Sequence, residues 1–140
     1  MPKNPSPQEL ETVAQLRIAL RRFLFATDQV TERHGLTSRQ YDLLSLLNDP
    51  GQDHLTASAI AEKLSLSPSA TTELVTRASK AGLLERQLDP KDTRIKYVLP
   101  TKEGRRLFFA AVHDLRSERN RILGLLRAAA ALAALLSTAL

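Results

Sequence analysis

Asp92 and Arg94 stand two residues apart in the run Asp89-Pro90-Lys91-Asp92-Thr93-Arg94. A carboxylate at that spacing can accept from the guanidinium and hold it in one direction. An arginine so directed can enter a narrow groove of negative potential, such as the minor groove of a duplex. Lys91 and Lys96 add positive charge on either side, and Thr93 adds a hydroxyl. A second group precedes it: Ser67, Ser69, Thr71, Thr72, Thr76, Arg77 and Lys80. Short hydroxyl side chains can bond to phosphates and base edges, and an arginine can take a guanine or a phosphate.

Such groups act only if the chain presents them together. Asp89-Pro90-Lys91-Asp92 is a turn signal, and Ile95–Leu99 is a β-prone run that Pro100 stops. This predicts a β-hairpin with Arg94 near its tip. Ser67-Pro68 is a helix-capping residue followed by proline at the first helical position. It predicts a helix from Pro68 to about Ala81, stopped at Gly82. Ala70, Leu74 and Ala78, supported by Val75, are expected to face inward. Ser69, Thr72, Glu73 and Thr76 are expected outside, flanked by Arg77 and Lys80. Thr56 caps a shorter helix, Ala57–Leu64. Two short helices across a tight turn form the helix-turn-helix pattern, and the hairpin after them strengthens it.

The rest of the chain supplies long helices. Residues 1–7 are Pro-rich and polar, read as a disordered lead-in. From Gln8 to Arg33 the residues Val13, Leu16, Leu20, Phe23, Thr27 and Val30 step by threes and fours. Leu10, Ile18, Leu24 and Phe25 widen that stripe, so this helix needs a second partner besides its own domain. Gly35 ends it. Thr37 or Ser38 caps a helix over Arg39–Asn48. Thr101 opens the last region, where Leu107, Phe108, Ala111, Val112 and Leu115 share a face and Gly124 is a candidate bend. Ala128–Leu140 is almost wholly apolar and must pack against something. The fold class is therefore mainly α with a small β-wing. Residues 35–104 form a winged helix-turn-helix, and residues 8–34 and 105–140 form a helical dimerisation region.

Composition agrees. The chain has 140 residues, a net charge of +5 and no cysteine. Between Pro68 and Arg106 lie nine Lys or Arg against five Asp or Glu, so most of the excess sits where the hydroxyl and arginine groups are. That location fits a polyanion. Without cysteine there is no disulfide scaffold, thiolate nucleophile or cysteine zinc site. MPKNPSPQEL lacks an apolar signal core, and Ala128–Leu136 is too short to span a bilayer, so a cytoplasmic protein without membrane partners is expected.

On these residues the chain resembles the MarR-type regulators. The carriers are the "SPSATTELV" helix start, the "AGLLER" helix end, the "DPKDTR" wing with its D-x-R core and the T-x-x-G opening of the next helix. With "HGLTSRQYDLLSLL" and the long terminal helices, the likeness covers nearly the whole chain. It implies a homodimer on a palindromic operator in double-stranded DNA, a repressor in most members, often released by a small anionic aromatic effector. Glu73 departs from the family pattern, which commonly has arginine there.

Other readings have less support. G-x-S-x-G, P-loop and G-x-G-x-x-G patterns are absent and the five glycines are isolated, so no enzyme is expected. His34, His54 and His113 lack helical ligand spacing, so neither a metal nor a cofactor is expected. A metal-responsive regulator and a dimeric helical scaffold without DNA binding remain the alternatives. Arg17, Arg21, Phe25, His34, Arg39 and Tyr41 are possible effector contacts, each with an ordinary structural role open to it.

Overall fold

The computed structural model describes residues 4–138. Residues 1–3 of the expected lead-in, Met1 among them, and residues 139–140 of the expected apolar helix lie outside the described residues. The chain divides into two compact units, residues 31–113 and residues 1–30 with 114–140. Boundaries at 34/35 and 104/105 were expected. The fifth helix moves into the winged unit, because its Phe108, Leu107 and Val112 belong to that unit's core cluster.

In the winged unit, α2 runs Ser38–Leu47. Thr37 caps it with a reciprocal box: its hydroxyl accepts from the Gln40 N–H while the Gln40 side chain accepts from the Thr37 N–H. Strand β1 is Leu55–Thr56 and α3 is Ala57–Lys63, capped by the Thr56 hydroxyl. Helix α4 is Pro68–Lys80, strand β2 Leu84–Leu88, strand β3 Lys96–Pro100 and helix α5 Lys102–Asp114. The sheet is antiparallel in the order β1-β3-β2, with Leu55 opposite Val98 and Arg86 also opposite Val98 on the other side. Pro100 does not stop the strand short. It is the last residue of β3, opposite Leu84, where a strand end tolerates a missing N–H.

The core of this unit is closed. Leu43, Leu44, Ile60 and Val75 are at most 1% exposed, and the Tyr41 ring lies 5.2 Å from that of Phe108. Two glycines shape it. Gly82 takes φ +76 after α4, which lets the Leu83 N–H turn back to the Ala78 carbonyl at 3.0 Å. Gly104 is buried where a Cβ would lie 2.2 Å from the Leu83 carbonyl oxygen. Thr101 sits at the same junction. Its hydroxyl donates to the Gly82 carbonyl at 2.6 Å and accepts from the Gly104 N–H at 3.0 Å. The T-x-x-G opening is thus a packing device that fastens α5 to the end of α4.

The other unit holds most of α1, Pro7–Arg33, and α6, Arg116–Thr138. Helix α1 begins one residue before the predicted start. The Ser6 hydroxyl accepts from the Glu9 N–H at 3.2 Å, and the Glu9 carboxylate accepts from the Ser6 N–H at 2.5 Å. This draws the end of the expected lead-in into a capping box and holds the Glu9 pKa below its ordinary value, chiefly through the Ser6 backbone bond. Gly124 does not break the last helix. The break is at Leu115, a buried residue whose carbonyl accepts the Arg119 N–H at 2.9 Å. In α1 only the C-terminal end of the predicted stripe is covered: Thr27 and Val30 are buried, while Val13, Leu16 and Leu20 are exposed. Among the described residues no helix is long and apolar enough to cross a membrane.

Candidate nucleic-acid interface

The candidate reading helix is α4. Ser67 caps it, accepting from the Ala70 N–H at 3.2 Å, and Pro68 opens it as predicted. Its phase differs from the sequence reading. Thr71, Val75 and Ala78 are buried, whereas Ala70 is exposed and Leu74 half-buried. The inward row is therefore 71/75/78 rather than 70/74/78. Thr71 consequently leaves the set of candidate contacts. It is 1% exposed, and its hydroxyl donates to the Ser67 carbonyl at 3.0 Å, which satisfies the group inside the core. Thr has nearly the shape of Val, so its burial beside Val75 needs only that one bond.

Ser67, Ser69, Thr72, Arg77 and Lys80 are exposed, and Thr76 is half-buried. The Thr72 hydroxyl donates to the Pro68 carbonyl at 2.9 Å, and Ser67 and Ser69 share a hydroxyl contact at 3.3 Å. These bonds are local and weak enough to be exchanged for a ligand's oxygens. Arg77 pairs with Glu73 at 2.5 Å. Glu73 and Arg77 therefore form one unit on this face.

The wing is the loop between β2 and β3. The Asp92 carboxylate grips Arg94 three times: Oδ1 accepts from the Arg94 N–H at 3.1 Å and from Nε at 3.0 Å, and Oδ2 accepts from Nη2 at 3.0 Å. The bidentate fork fixes the plane and direction of the guanidinium, while its side chain stays 89% exposed. The same bonds hold the Asp92 pKa below its ordinary value and push that of Arg94 up. Lys91, Thr93 and Lys96 are exposed on the same loop and its edge.

A second carboxylate, not singled out from the sequence, organises the tip. Asp89 Oδ1 accepts from the N–H groups of Lys91 and Asp92, at 2.8 and 2.9 Å. Its Oδ2 accepts from the Tyr97 hydroxyl at 2.8 Å. These bonds hold the Asp89 pKa below its ordinary value, the Asp92 backbone bond most, and raise that of Tyr97. The Asp89 N–H closes the loop on the Ile95 carbonyl at 2.9 Å. Asp89 looked like a turn residue only, because its partner Tyr97 lies across the hairpin. Aspartate with a β-prone tyrosine just past the turn is the signal that could have shown it.

Of the possible effector contacts, Arg17, Arg21 and Phe25 lie along one exposed stretch of α1, together with Ile18, Arg22 and Leu24. His34, Arg39 and Tyr41 belong to the other unit. Among the described residues no group of three or more metal-ligating side chains lies together.

A capped helix held against a three-stranded sheet, with an arginine-bearing loop between β2 and β3, defines a winged helix-turn-helix. The model of the MarR family matches residues 34–95. Solved structures with this fold include the YusO protein from Bacillus subtilis, 26% identical over 97% of this chain and 100% of that one, with a TM-score of 0.66. CouR from Rhodococcus jostii RHA1, bound to p-coumaroyl-CoA, is 27% identical over 82% of this chain and 85% of its own, with a TM-score of 0.66. The S. aureus MepR–DNA complex shares the fold at 23% identity, covering 90% of this chain and 96% of that one, with a TM-score of 0.69. Nothing among curated proteins matches the sequence.

Proposed function

We propose that the chain is a MarR-family transcription regulator that binds a palindromic operator in double-stranded DNA as a homodimer and represses from it. The observation that carries the reading is Arg94, gripped by Asp92 yet open to solvent at the tip of the wing. With α4 in the major groove, the wing reaches an adjacent minor groove, where that guanidinium meets the strongest negative potential. Ser69, Thr72 and Lys80 meet phosphates or base edges from α4. Two copies related by a two-fold axis would meet half-sites about 10 base pairs apart.

The dimer reading rests on the exposed apolar residues of the terminal helices. Leu10, Val13, Ile18, Leu24 and Phe25 on α1, and Leu125, Leu132 and Leu135 on α6, are all more than half exposed in the single chain. Apolar area of that kind is covered in a stable protein. A small anionic aromatic effector is the proposed trigger. In its support, α1 sets Arg17, Arg21 and Arg22 beside the exposed Phe25 and Leu24, and CouR is bound to p-coumaroyl-CoA. Such a ligand releases DNA only if it prefers the spacing of the two reading helices that does not fit the operator.

The test is binding of labelled duplexes selected by the protein. Affinity should fall steeply with salt, as counterion release demands. Pre-formed complex should then dissociate on addition of an aromatic carboxylate, a phenol or an aromatic acyl thioester. A protein that ignores duplex DNA at low salt would be the helical scaffold instead.

A further inference from the structure

A carboxylate stands in the middle of the α4 surface that carries Ser69, Thr72, Arg77 and Lys80. Glu73 Oε1 and Arg77 Nη2 lie 2.5 Å apart, one helical turn along the same face. Glutamate ahead of a cation at this spacing suits the helix, but an exposed pair adds little to folding. Both side chains are more than half exposed, 60% and 74%, so their chemistry is open to a ligand. The inference rests on α4 being the DNA-reading helix.

A carboxylate there is repelled by every phosphate and needs a donor. The major groove offers two kinds, adenine N6 and cytosine N4. Adenine N6 lies beside the acceptor N7, an arrangement that an amide matches and a carboxylate does not. Cytosine N4 presents a donor alone. The guanine paired with that cytosine presents O6 and N7, both acceptors, to a guanidinium. A Glu–Arg ion pair is thus an acceptor beside a donor fork, and a G·C pair is a donor beside an acceptor pair.

We infer that Glu73 and Arg77 act as one dyad that reads a G·C pair in each half-site, Glu73 accepting from cytosine N4 and Arg77 donating to guanine O6 and N7. The ion pair holds the two groups side by side before DNA arrives, so neither has to find its orientation on binding. Glu73 is then a specificity-determining residue: it lowers affinity on random DNA and contributes to the choice of sequence.

The experiment selects duplexes from a randomised library with the wild type, Glu73→Gln and Glu73→Ala, each first shown to be folded by thermal melting. The wild type should enrich symmetric sites with a G·C pair at one fixed position of each half. Glu73→Gln should move that position toward A·T, since an amide reads adenine N6 and N7. Glu73→Ala should lose about tenfold or more of the discrimination there, leave the other positions as they were, and bind random duplex more tightly. An unchanged consensus in both variants would overturn the dyad while leaving DNA binding intact. Failure of all three proteins to enrich any sequence would overturn DNA binding itself, and the dyad with it.

Discussion

The winged unit and the terminal helices treat leucine in opposite ways. In the winged unit Leu43 and Leu44 are at most 1% exposed, and sheet, helices and caps close around them. In the terminal helices Leu10, Leu24, Leu132 and Leu135 are between 56% and 68% exposed. Both regions are helical and both are rich in apolar residues, so composition does not separate them. The winged unit brings its apolar faces together from several short elements within one chain. Helices α1 and α6 are long and carry apolar residues around more than one side, and one chain offers them too few partners. The first region closes on itself, and the second leaves the apolar face that the proposed dimer would cover.

The largest expected effect would break the closed region. Gly104→Ala places a Cβ 2.2 Å from the Leu83 carbonyl oxygen, a backbone atom that cannot swing aside. It should destabilise the protein by about 3 kcal/mol or more in a denaturant titration. Gly124→Ala, inside α6 with nothing within 4 Å of the new atom, should stabilise by about 0.5–1 kcal/mol. Equal midpoints for the two variants would remove the packing role assigned to the T-x-x-G opening.

The second effect sharpens the contrast from the open side. Leu20→Glu changes a residue 42% exposed on α1, so the single chain should tolerate it. A dimer that covers this face should not, because the charge would be buried without a partner. Sedimentation should show the dimer weakened by roughly tenfold or more, with little change in far-ultraviolet dichroism. A variant that stays dimeric at the same concentration would show that another face carries the association.

How far each region was legible follows from the range of its signals. Ser67-Pro68, Thr56 and Gly82 announce their helix ends within three or four residues, and the structure places caps and turns there. The wing was equally plain, since Asp92 and Arg94 meet over two residues. What escaped depends on distant partners or on disguised chemistry. Strand β1 has two residues and no periodicity, and only its pairing with Tyr97 and Val98 makes it a strand. Thr71 reads as polar in a sequence, yet its hydroxyl is satisfied by Ser67 and its methyl joins the core. The break at Leu115 has no glycine or proline to mark it, whereas Gly124 carries the mark and breaks nothing.

A third effect concerns the wing. Arg94→Ala should weaken operator binding by about tenfold to a hundredfold, most on sites with A·T-rich flanks, where the minor groove is narrow. Asp92→Ala should weaken it less, because the arginine remains and loses only its direction. Titrations of both variants at two salt concentrations would check this. Wild-type affinity for Arg94→Ala would leave the wing without a role in binding.

The smallest expected effect tests how the wing is held. Tyr97 donates to Asp89, Asp89 accepts the N–H of Asp92, and Asp92 grips Arg94. Tyr97→Phe removes the first link and should cost about threefold in operator affinity. If the link acts through Arg94, the same change in an Arg94→Ala background should cost nothing. A loss of equal size in both backgrounds would mean that Tyr97 supports the fold alone. Titration gives an independent check. The pKa values of Asp89 and Asp92 are lowered from 3.8, so their bonds are fully present above that value and fail only as the pH falls through the lower folded values. The pKa of Tyr97 is raised from 10.0, so its hydroxyl keeps its proton until the pH rises through a still higher value. Between those limits the ratio of wild-type to Arg94→Ala affinity should be flat. A step within that range would mean that the chain of bonds from Tyr97 to Arg94 is not what holds the wing.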